Sequence, residues 1–589
     1  MIKSKLNRED YPWYNFYKDV PKHLKYSDDL MVEVVMKVAL KYPNSYAIEY
    51  YNNKITYKEL VDRIVACAKS LKTIGVNQGD IVSICMPNTP EALIMFYAVN
   101  LVGAVSNMIH PLSSEKEIEM YLNKTKSKVI MTIDMNYKKV INIINNTSVS
   151  KVIISSAGYS LKGFKKKMYS IFNTDVTKAI KKIRQVFLKA FQNREVISYK
   201  KFAQKGNSYY EDYACDRKGE DLAVILYSGG TSGTPKGIML SNNNINALSF
   251  QASLMCVPLG PGDSIIAILP IFHGFGLGVC IHTCLFVGAK AILVPTFKGK
   301  KLNDLIKKTN PTVLVGVPTL FEALVRNEPK KGLDLSNIKL IISGGDVLPE
   351  NKYNEYNEFF ARHGSKAKIR VGYGLTESTA ASCLNPSNVK HRPNSIGIPL
   401  PDMIYKIVKI GTTKEADIME DGEICINGPT VMMGYLNEEE ETRNTLKEHK
   451  DGKTWLHTGD VGCMDEDGFV YFKSRIKRII ISSGYNVYPS YIEEIINKHE
   501  YVSNSTVIGV PDKYRGQRVK AYVVLKKEVK LDENVKEEIK QYCEKYIAKY
   551  ALPREYEFKN ELPKTLVGKI AYTVLEEEEK LKEKLNFNK

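Results

Sequence analysis

Short apolar runs alternate with helical patterns along most of the chain. Between residues 30 and 215, runs such as 81–85 and 128–132 are separated by segments whose apolar residues recur at helical spacing. Further short apolar runs follow at 222–227, 264–269, 291–294, 312–315 and 339–342. Buried strands joined by crossover helices give this rhythm in α/β proteins. Several runs end in Gly, Ser or Pro clusters, so the pattern predicts an α/β fold with ligand loops at the carboxyl ends of its strands.

The length of the chain predicts at least two domains, because 589 residues exceed what one hydrophobic core usually holds. After about residue 472, a link at 473–478 is rich in Lys and Arg, and a smaller α+β pattern follows it. We therefore place a large multi-subdomain α/β domain at 1–474 and a small, mobile α+β domain at 475–589. The segment at about 160–195 interrupts the α/β rhythm and is interpreted as an insertion.

The composition is that of a globular protein, with 44% hydrophobic and 25% charged residues. The ten cysteines form no close CxxC pair, and the nearest two, Cys280 and Cys284, lie in an apolar run, which favours reduced core cysteines. No secretory signal pattern opens the sequence. The apolar stretches at 92–109 and 275–289 are interrupted or shorter than the ~20 residues that span a bilayer. We therefore expect a cytoplasmic protein.

Half of the net charge of +18 lies in residues 162–194, which contain ten Lys or Arg and a single acid, Asp175. Within this segment Val176, Ile180, Ile183 and Phe187 recur at helical spacing with lysines between them, which predicts a basic amphipathic helix. Proteins that bind nucleic acid more often spread their basic residues along a groove with interleaved aromatics. This segment has no such pattern, so we expect no nucleic-acid partner. The segment is instead expected to contact the anionic inner face of a membrane; a solvated helix packed on the large domain is the alternative.

A glycine- and hydroxyl-rich segment directly follows the apolar run at 222–227. It reads Tyr-Ser-Gly-Gly-Thr-Ser-Gly-Thr-Pro-Lys-Gly over residues 227–237. Glycines let backbone N–H groups converge on phosphate oxygens, while hydroxyls and a lysine add donors and charge. It is not a Walker A loop, because Pro235 rather than Gly precedes the lysine. The predicted phosphate-binding residues are Ser228, Gly229, Thr231, Ser232, Gly233, Thr234 and Lys236.

This loop resembles the signature of the adenylate-forming superfamily of acyl-CoA synthetases, adenylation domains and luciferases. The resemblance continues in order from about residue 51 to residue 569 and leaves out the first residues and the basic insertion. The segment at 373–378, Tyr-Gly-Leu-Thr-Glu-Ser, matches the central motif of that superfamily. The resemblance implies that Tyr373 stacks on adenine beside Gly374, that Thr376 contacts the α-phosphate, and that Glu377 holds Mg²⁺. Mg²⁺ prefers one or two carboxylates together with phosphate oxygens, in agreement with that role.

Two further motifs resemble the nucleotide-binding elements of the superfamily. Gly344, Gly345 and Asp346 follow an apolar run and match the loop on the adenine side, although Gly-Gly-Asp alone is ordinary turn chemistry. The segment 455–460, Trp-Leu-His-Thr-Gly-Asp, ends at Asp460, which resembles the carboxylate that accepts both ribose hydroxyls. The resemblance places Arg475 near the ribose and the phosphates.

The resemblance also implies a second conformation of the small domain. Lys569 ends a Pro…Thr…Gly-Lys motif and resembles the lysine that bridges the carboxylate and the α-phosphate during adenylation. The resemblance makes Lys236, Thr376 and Glu377 the other catalytic residues. A positioned ammonium would stabilise the attack of one anion on another. Lys477 falls at the hinge position, followed by Arg478 where relatives commonly carry an acid. After rotation about this hinge, Gly484 would line the tunnel for the coenzyme A thiol.

The segment at 270–276, Pro-Ile-Phe-His-Gly-Phe-Gly, resembles the pocket motif of enzymes that activate fatty and aryl acids. The resemblance implies that His273 gates an acyl pocket formed with Phe275 and Gly276; a packed core histidine is the alternative. The motif lacks the Asp with which amino-acid adenylation domains hold the α-amino group. No carrier domain is attached, which favours free coenzyme A.

The sequence therefore predicts an ATP-dependent ligase that converts a small-molecule carboxylic acid, a medium- or long-chain fatty acid, into acyl-AMP and then into a coenzyme A thioester. ATP, Mg²⁺ and coenzyme A are the implied cofactors and co-substrates. The alternatives are an aryl- or amino-acid adenylating ligase that loads a separate carrier protein, and a non-catalytic nucleotide- or acyl-binding protein. The non-catalytic alternative is disfavoured because a binding protein needs no complete set of Lys236, Glu377, Asp460 and Lys569.

Overall fold

The computed structural model describes residues 11–161, 194–227, 235–329, 332–482, 485–512, 514–549, 551–565 and 570–587. The strands, in chain order, are β1 (Tyr46–Tyr50), β2 (Asn53–Thr56), β3 (Ile81–Cys85), β4 (Val105–Met108), β5 (Val129–Ile133), β6 (Lys151–Ser155), β7 (Glu195–Ser198), β8 (Leu222–Tyr227), β9 (Gly237–Ser241), β10 (Ser264–Ala267), β11 (Lys290–Leu293), β12 (Val313–Gly316), β13 (Leu340–Ser343), β14 (Ile369–Tyr373), β15 (Cys383–Leu384), β16 (Ser395–Pro399), β17 (Ile404–Val408), β18 (Gly422–Asn427), β19 (Gly434–Tyr435), β20 (Leu446–Glu448), β21 (Thr454–Met464), β22 (Val470–Arg475), β23 (Ile480–Ser482), β24 (Tyr485–Val487), β25 (Val502–Asp512), β26 (Gly516–Leu525) and β27 (Glu555–Phe558).

The α-helices are α1 (Met31–Lys41), α2 (Tyr57–Thr73), α3 (Pro90–Leu101), α4 (Glu115–Thr125), α5 (Tyr137–Ile143), α6 (Tyr199–Lys205), α7 (Asn242–Met255), α8 (Thr283–Phe286), α9 (Leu302–Thr309), α10 (Pro318–Arg326), α11 (Glu350–Arg362), α12 (Glu439–Thr445), α13 (Pro489–Asn497), α14 (Glu533–Tyr546) and α15 (Tyr572–Phe587). A π-helix at Phe275–His282 precedes α8. Short 3₁₀ turns at Thr376–Ser378 and Ile476–Arg478 matter for the site described below.

Two large sheets form the body of the protein. In the first, β7, β6, β5, β3, β4 and β8 run parallel in that order, and β9 and β19 complete it in antiparallel fashion. All five residues of β5 are buried, as expected for a parallel strand covered on both faces. Helix α3 is buried along its whole length. It begins after Thr89, whose side chain accepts a hydrogen bond from the backbone N–H of Ala92.

The second sheet joins a parallel half to an antiparallel half. Strands β1, β11, β10, β12, β13 and β14 are parallel neighbours, and β15, β16, β22, β21, β18 and β17 continue the sheet in antiparallel order. The carboxyl ends of β13 and β14 are adjacent, and they are followed by Gly344 and by Gly374. The predicted α/β fold with loops at the carboxyl ends of its strands is confirmed.

A small third sheet follows the antiparallel half. Strands β24, β23, β26 and β25 are antiparallel neighbours, and β27 pairs with β26 in parallel. Its core includes Ile492 of α13 and Ile539 of α14. Strand β22 ends at Arg475 and β23 begins at Ile480, so the predicted boundary between 474 and 475 falls on the last two residues of β22 and stays a prediction.

The two longest apolar stretches of the sequence form core elements. Residues 92–109 contain most of α3 and all of β4, and residues 275–289 contain the π-helix and α8. Across the described part of the chain, none of the helices combines the length and the apolar character that crossing a membrane requires. The predicted amphipathic helix at 162–193 lies outside the described residues; Arg194, at its end, donates hydrogen bonds to the carbonyls of Ile144 (2.9 Å) and Thr147 (3.2 Å).

Candidate active site

Three strand segments bring Tyr373, Asp460 and Arg475 together. Asp460 of β21 is the register partner of Arg475 at the end of β22, and Tyr373 ends β14. The Tyr373 hydroxyl donates to Asp460 Oδ2 at 2.7 Å, and Arg475 Nε lies 3.2 Å from Asp460 Oδ1. Asp460 is almost fully buried. Its negative charge is the main cause of the raised Arg475 pKa, so the guanidinium stays charged beside it.

Glu377 lies next to this cluster, in the 3₁₀ turn that follows β14. Its Oε1 accepts a hydrogen bond from the Tyr435 hydroxyl at 3.0 Å, and its backbone oxygen accepts from Met432 N at 2.8 Å. Burial raises the pKa of the Glu377 carboxyl, while Tyr435 and Arg475 act in the opposite direction. Glu377 is half-buried, and a carboxylate whose ionised form is disfavoured gains from a bound cation, so the side chain fits a Mg²⁺ ligand. Thr376, its neighbour, is buried in the same turn.

Tyr435 also contacts the one described lysine of the phosphate loop. The Lys236 ammonium lies 5.0 Å from the centre of the Tyr435 ring and 2.5 Å from Glu441 Oε2 on α12. Tyr435 is positioned by β19, which pairs with β9 so that Tyr435 lies opposite Ile238. The structure places Tyr435 between the lysine and Glu377, a proximity that none of the sequence motifs indicated.

The loop that follows β13 lies beside the loop that follows β14. Gly345 has φ +79°, a backbone conformation that favours glycine, and a side chain at Gly344 would lie 3.0 Å from the Gly372 carbonyl. A side chain at Gly374 would collide with the Ala380 carbonyl. Asp346 is exposed, and its Oδ1 accepts a hydrogen bond from Val347 N at 2.9 Å. Both loops therefore present backbone to one cleft at the carboxyl ends of the strands, where α/β sheets bind ligands.

The segment at 270–276 links this cleft to an apolar cavity. His273 Nδ1 accepts a hydrogen bond from Phe275 N at 3.3 Å, and the Phe275 ring lies 3.4 Å from the position that a Gly344 Cβ would take. Gly276 has no room for a side chain, because a Cβ there would collide with the Pro270 carbonyl. The π-helix that begins at Phe275 then extends to the cavity, to which it contributes Val279.

The cavity is narrow in this structure, with a volume of about 30 Å³, which is below the ~300–1,000 Å³ typical of occupied ligand pockets. Strands β10, β12 and β13 form one wall and α7 with the π-helix forms the other. None of the described residues that line it carries a charge, and its wall includes Cys256, Val257, Leu259, Val279, Val313 and Leu340. The arrangement suits an uncharged, apolar group next to the cleft that holds Tyr373 and Asp460.

The structure describes the predicted hinge turn, but it does not describe Gly484 and Lys569, the two residues that are predicted to exchange places in the cleft when the small domain rotates. Lys477 is exposed in the turn Ile476–Arg478. Arg478 faces the small domain, where its Nη2 lies 2.5 Å from Glu493 Oε1 and its guanidinium lies 4.5 Å from the Tyr572 ring centre. Gly484 and Lys569 lie outside the described residues, as do Ser228, Gly229, Thr231, Ser232, Gly233 and Thr234. Their predicted roles stay predictions.

Residues 35–436 match the model of the AMP-binding enzyme family, and residues 491–569 match that of the AMP-binding enzyme C-terminal domain. The chain is 33% identical over 570 residues to a long-chain-fatty-acid–CoA ligase of Bacillus subtilis, covering 96% of this chain and 98% of that protein. It is 32% identical over 576 residues to a protein of the same name from Haemophilus influenzae, with the same two coverages.

Solved structures resemble the chain over nearly its whole length. ATP-bound MatB from Rhodopseudomonas palustris is 26% identical, with a TM-score of 0.78 over 93% of this chain and 98% of that one. The anthranilate CoA ligase AuaEII in complex with anthranoyl-AMP is 23% identical, with a TM-score of 0.79 over 96% of this chain and 99% of that one, which shows a shared fold.

Proposed function

The chain belongs to the AMP-binding enzyme family, and from this premise we propose that it joins a medium- or long-chain fatty acid first to AMP and then to coenzyme A. The observation that carries the proposal is the convergence of Tyr373, Glu377, Asp460 and Arg475 at one cleft beside an uncharged cavity. The names of the similar ligases from Bacillus subtilis and Haemophilus influenzae support the same acid class.

In the first half-reaction, a carboxylate oxygen of the acid attacks the α-phosphorus of ATP. The bond from that phosphorus to the bridging oxygen of pyrophosphate breaks, which leaves acyl-AMP and free pyrophosphate. Asp460, fixed by Tyr373 and Arg475, is suited to accept the ribose hydroxyls. Lys236 and the loop at 228–234 are assigned to the phosphates. Lys569 is assigned to the space between the two reacting anions, where its charge would stabilise the transition state.

Glu377 is the residue assigned to Mg²⁺. When bound, the ion would offset the charge that develops on the leaving pyrophosphate. The Tyr435 hydroxyl orients the Glu377 carboxylate and favours its ionised form. The Lys236 ammonium lies 5.0 Å from the centre of the same ring. Tyr435 therefore contacts both the carboxylate assigned to Mg²⁺ and the ammonium assigned to the phosphates.

In the second half-reaction, the coenzyme A thiol attacks the acyl carbonyl and AMP leaves. The proposed rotation about Lys477 removes Lys569 from the cleft and brings Gly484 in. The exposed turn Ile476–Arg478 between β22 and β23 gives the chain a short connection at which such a rotation can occur. The alternative, transfer to the thiol of a separate carrier protein, uses the same groups and differs only in the thiol.

The apolar cavity favours a fatty acid over a zwitterionic one. An α-ammonium group buried there would lack a carboxylate partner among the described lining residues, and burial of an unpaired charge is strongly unfavourable. An aryl acid is the remaining competitor, because its ring is also apolar. Pyrophosphate release measured over a panel of fatty, aryl and amino acids, with and without coenzyme A, tests the proposal. Pyrophosphate release with amino acids but with none of the fatty acids would contradict it.

We further propose that the basic segment at 162–194 binds anionic membrane surface, where fatty acids partition. Each basic residue near such a surface contributes ~1 kcal/mol, falling off within a Debye length. The full chain is expected to co-sediment with phosphatidylglycerol vesicles at low salt and to be released at high salt, whereas a variant lacking 160–195 stays in solution. Equal sedimentation of both proteins would contradict this role.

A further inference from the structure

Three buried ligand-type side chains meet in the antiparallel half of the second sheet, and one of them lies three residues before Asp460. Cys425 of β18 and His457 of β21 are register partners, so their side chains share one face. His449 comes from the turn between β20 and β21, where its backbone N–H donates to the Lys453 carbonyl at 3.0 Å. One donor atom from each of the three lies within 4.8 Å of the others. We call Cys425, His449 and His457 the Cys-His-His cluster.

The hydrogen bonds around the cluster constrain where its protons lie. His457 Nδ1 lies 2.8 Å from Glu423 Oε2, so Nδ1–H donates to the carboxylate and Nε2 is turned toward His449. His449 Nε2 lies 2.8 Å from His457 Nε2, so a single proton joins the two rings. A metal ion on the two Nε2 atoms would take the place of that proton. His449 Nδ1 is buried and has no hydrogen bond among the described residues in either arrangement.

We propose that the Cys-His-His cluster is a Zn²⁺ site, with Cys425 Sγ, His449 Nε2 and His457 Nε2 as ligands. Zinc binds thiolate sulfur at ~2.3 Å and imidazole nitrogen at ~2.0–2.1 Å in tetrahedral geometry. Two nitrogens of such a site stand ~3.3 Å apart, so the two rings need to separate by about half an ångström from their present 2.8 Å. A fourth position remains for a water molecule.

Glu423 completes the pattern that zinc-binding histidines show. Such a histidine usually donates its second ring N–H to a carboxylate, which fixes the tautomer and the ring orientation. Glu423 accepts from His457 Nδ1 with one oxygen, and its other oxygen accepts from Gly459 N at 3.0 Å. Because Gly459 precedes Asp460, an ion held by His457 would also brace the strand that carries the ribose carboxylate. The site is independent of the acid that the enzyme activates.

The charges around the cluster balance a divalent cation. On binding, the Cys425 thiol would lose its proton to solvent, and thiolate plus Glu423 would offset both positive charges. Lys406 of β17 is the register partner of Cys425, and Asp451 Oδ2 pairs with its ammonium at 3.4 Å.

Cobalt provides a spectroscopic test, because a thiolate bound to Co²⁺ gives a charge-transfer band in the near ultraviolet. The full chain, prepared without an affinity tag and treated with chelator, is titrated with Co²⁺ and then with Zn²⁺. One equivalent of Co²⁺ is expected to produce the band, and Zn²⁺ is expected to abolish it. Cys425→Ser is expected to bind without the band. Failure of the wild-type chain to give the band, or its persistence in Cys425→Ser, would overturn the proposal.

Two further variants and a matched control separate ligation from packing. Glu423→Gln is expected to weaken Zn²⁺ binding ~10–100-fold, as loss of an outer carboxylate commonly does, and His449→Ala to weaken it more. Cys463→Ser, which alters another buried cysteine of β21, is expected to bind as the wild type does. Melting temperatures without metal report whether each variant folds. If a folded His449→Ala variant binds Zn²⁺ with wild-type affinity, the cluster is only a group of hydrogen-bonded side chains and the proposal is wrong.

Discussion

At the scale of single residues, the site depends on contacts between side chains that are far apart in the sequence. Asp460 is held by Tyr373 and Arg475, and Glu377 is held by Tyr435. Each partner fixes the orientation of a carboxylate that would otherwise turn freely. Tyr435 has two such contacts, because its ring also lies under the Lys236 ammonium. It is therefore the residue for which the structure adds most to the sequence-based assignment.

Replacement of Tyr435 by Phe removes the hydroxyl but keeps the ring. The lost hydrogen bond to a charged group is expected to cost ~1.5–3 kcal/mol. The Tyr435 hydroxyl lowers the pKa of Glu377, so its loss raises that pKa further. As the pH is lowered, activity that requires ionised Glu377 is then expected to be lost at a higher pH in the variant than in the wild type. The measurement is the pH dependence of pyrophosphate release at several Mg²⁺ concentrations.

Tyr471→Phe is the control for that variant, since the Tyr471 hydroxyl donates instead to Asp465 at 2.8 Å. An acid limb that is the same in Tyr435→Phe and in the wild type would contradict a role for Tyr435 in orienting Glu377.

Replacement of Lys569 by Ala is expected to abolish adenylation and to spare thioester formation from supplied acyl-AMP. Loss of one oriented charge in the transition state commonly costs ~3–4 kcal/mol, or a hundredfold or more in rate. The two half-reactions are assayed separately, by pyrophosphate release and by thioester yield. Lys564→Ala serves as the control because Lys564 is an exposed lysine five residues earlier. Equal losses in both half-reactions would refute the assignment.

At the scale of elements, the cleft is built where β13, β14 and β21 end or bend. The loop after β13 and the turn after β14 supply backbone, and the π-helix from Phe275 connects them to the apolar cavity. The hinge turn follows β22 directly. Arg478 pairs with Glu493 and packs on Tyr572 within the small domain. The basic residue at this position therefore has partners that an acid would lack.

Replacement of Gly484 by Leu is expected to stall thioester formation and to leave adenylation intact. A side chain in the proposed tunnel would block the pantetheine thiol, whereas none of the residues assigned to adenylation is Gly484. Acyl-AMP should then accumulate in the presence of coenzyme A, which chromatography of the reaction mixture can measure. Ile481→Leu changes an exposed neighbour on β23 and should behave as the wild type. Loss of ATP binding in Gly484→Leu would mean that the loop is structural.

At the scale of the whole molecule, the small domain depends on a charge network under its last helix. Lys520 of β26 is buried within 3.0 Å of carboxylate oxygens of Glu555, Glu557 and Glu579. Glu579 lies on α15 and also accepts from the Tyr522 hydroxyl at 3.0 Å. The network therefore ties α15 to the sheet of the small domain.

Acid is expected to destabilise this domain through Glu579. Burial alone would raise its pKa, but hydrogen bonds from Lys582, Lys520 and Tyr522 lower it from 4.5 to about 2. Because the folded-state pKa is depressed, the stabilisation is complete above the unfolded pKa and is lost as pH falls from about 5 to about 2, by up to ~3 kcal/mol.

The variant Glu579→Gln should therefore show a smaller loss of melting temperature over that pH range than the wild type, as followed by calorimetry of the full chain. Glu577→Gln, on the same helix, is the control. Parallel curves for the wild type and Glu579→Gln would contradict this account.

The sequence by itself determined the α/β class, the division into a large and a small domain, and the order of the nucleotide-binding motifs. These features are local, because residues that are close together in the sequence determine strand and helix periodicities and glycine-rich loops. Tertiary structure alone decided that Tyr435 meets Glu377 and Lys236, and that Cys425, His449 and His457 form one cluster. Such contacts depend on which strands become neighbours and in which register. A shift of one residue in register would turn the strand residues Tyr435, Cys425 and His457 to the opposite faces of their sheets. No local sequence pattern can therefore specify these contacts.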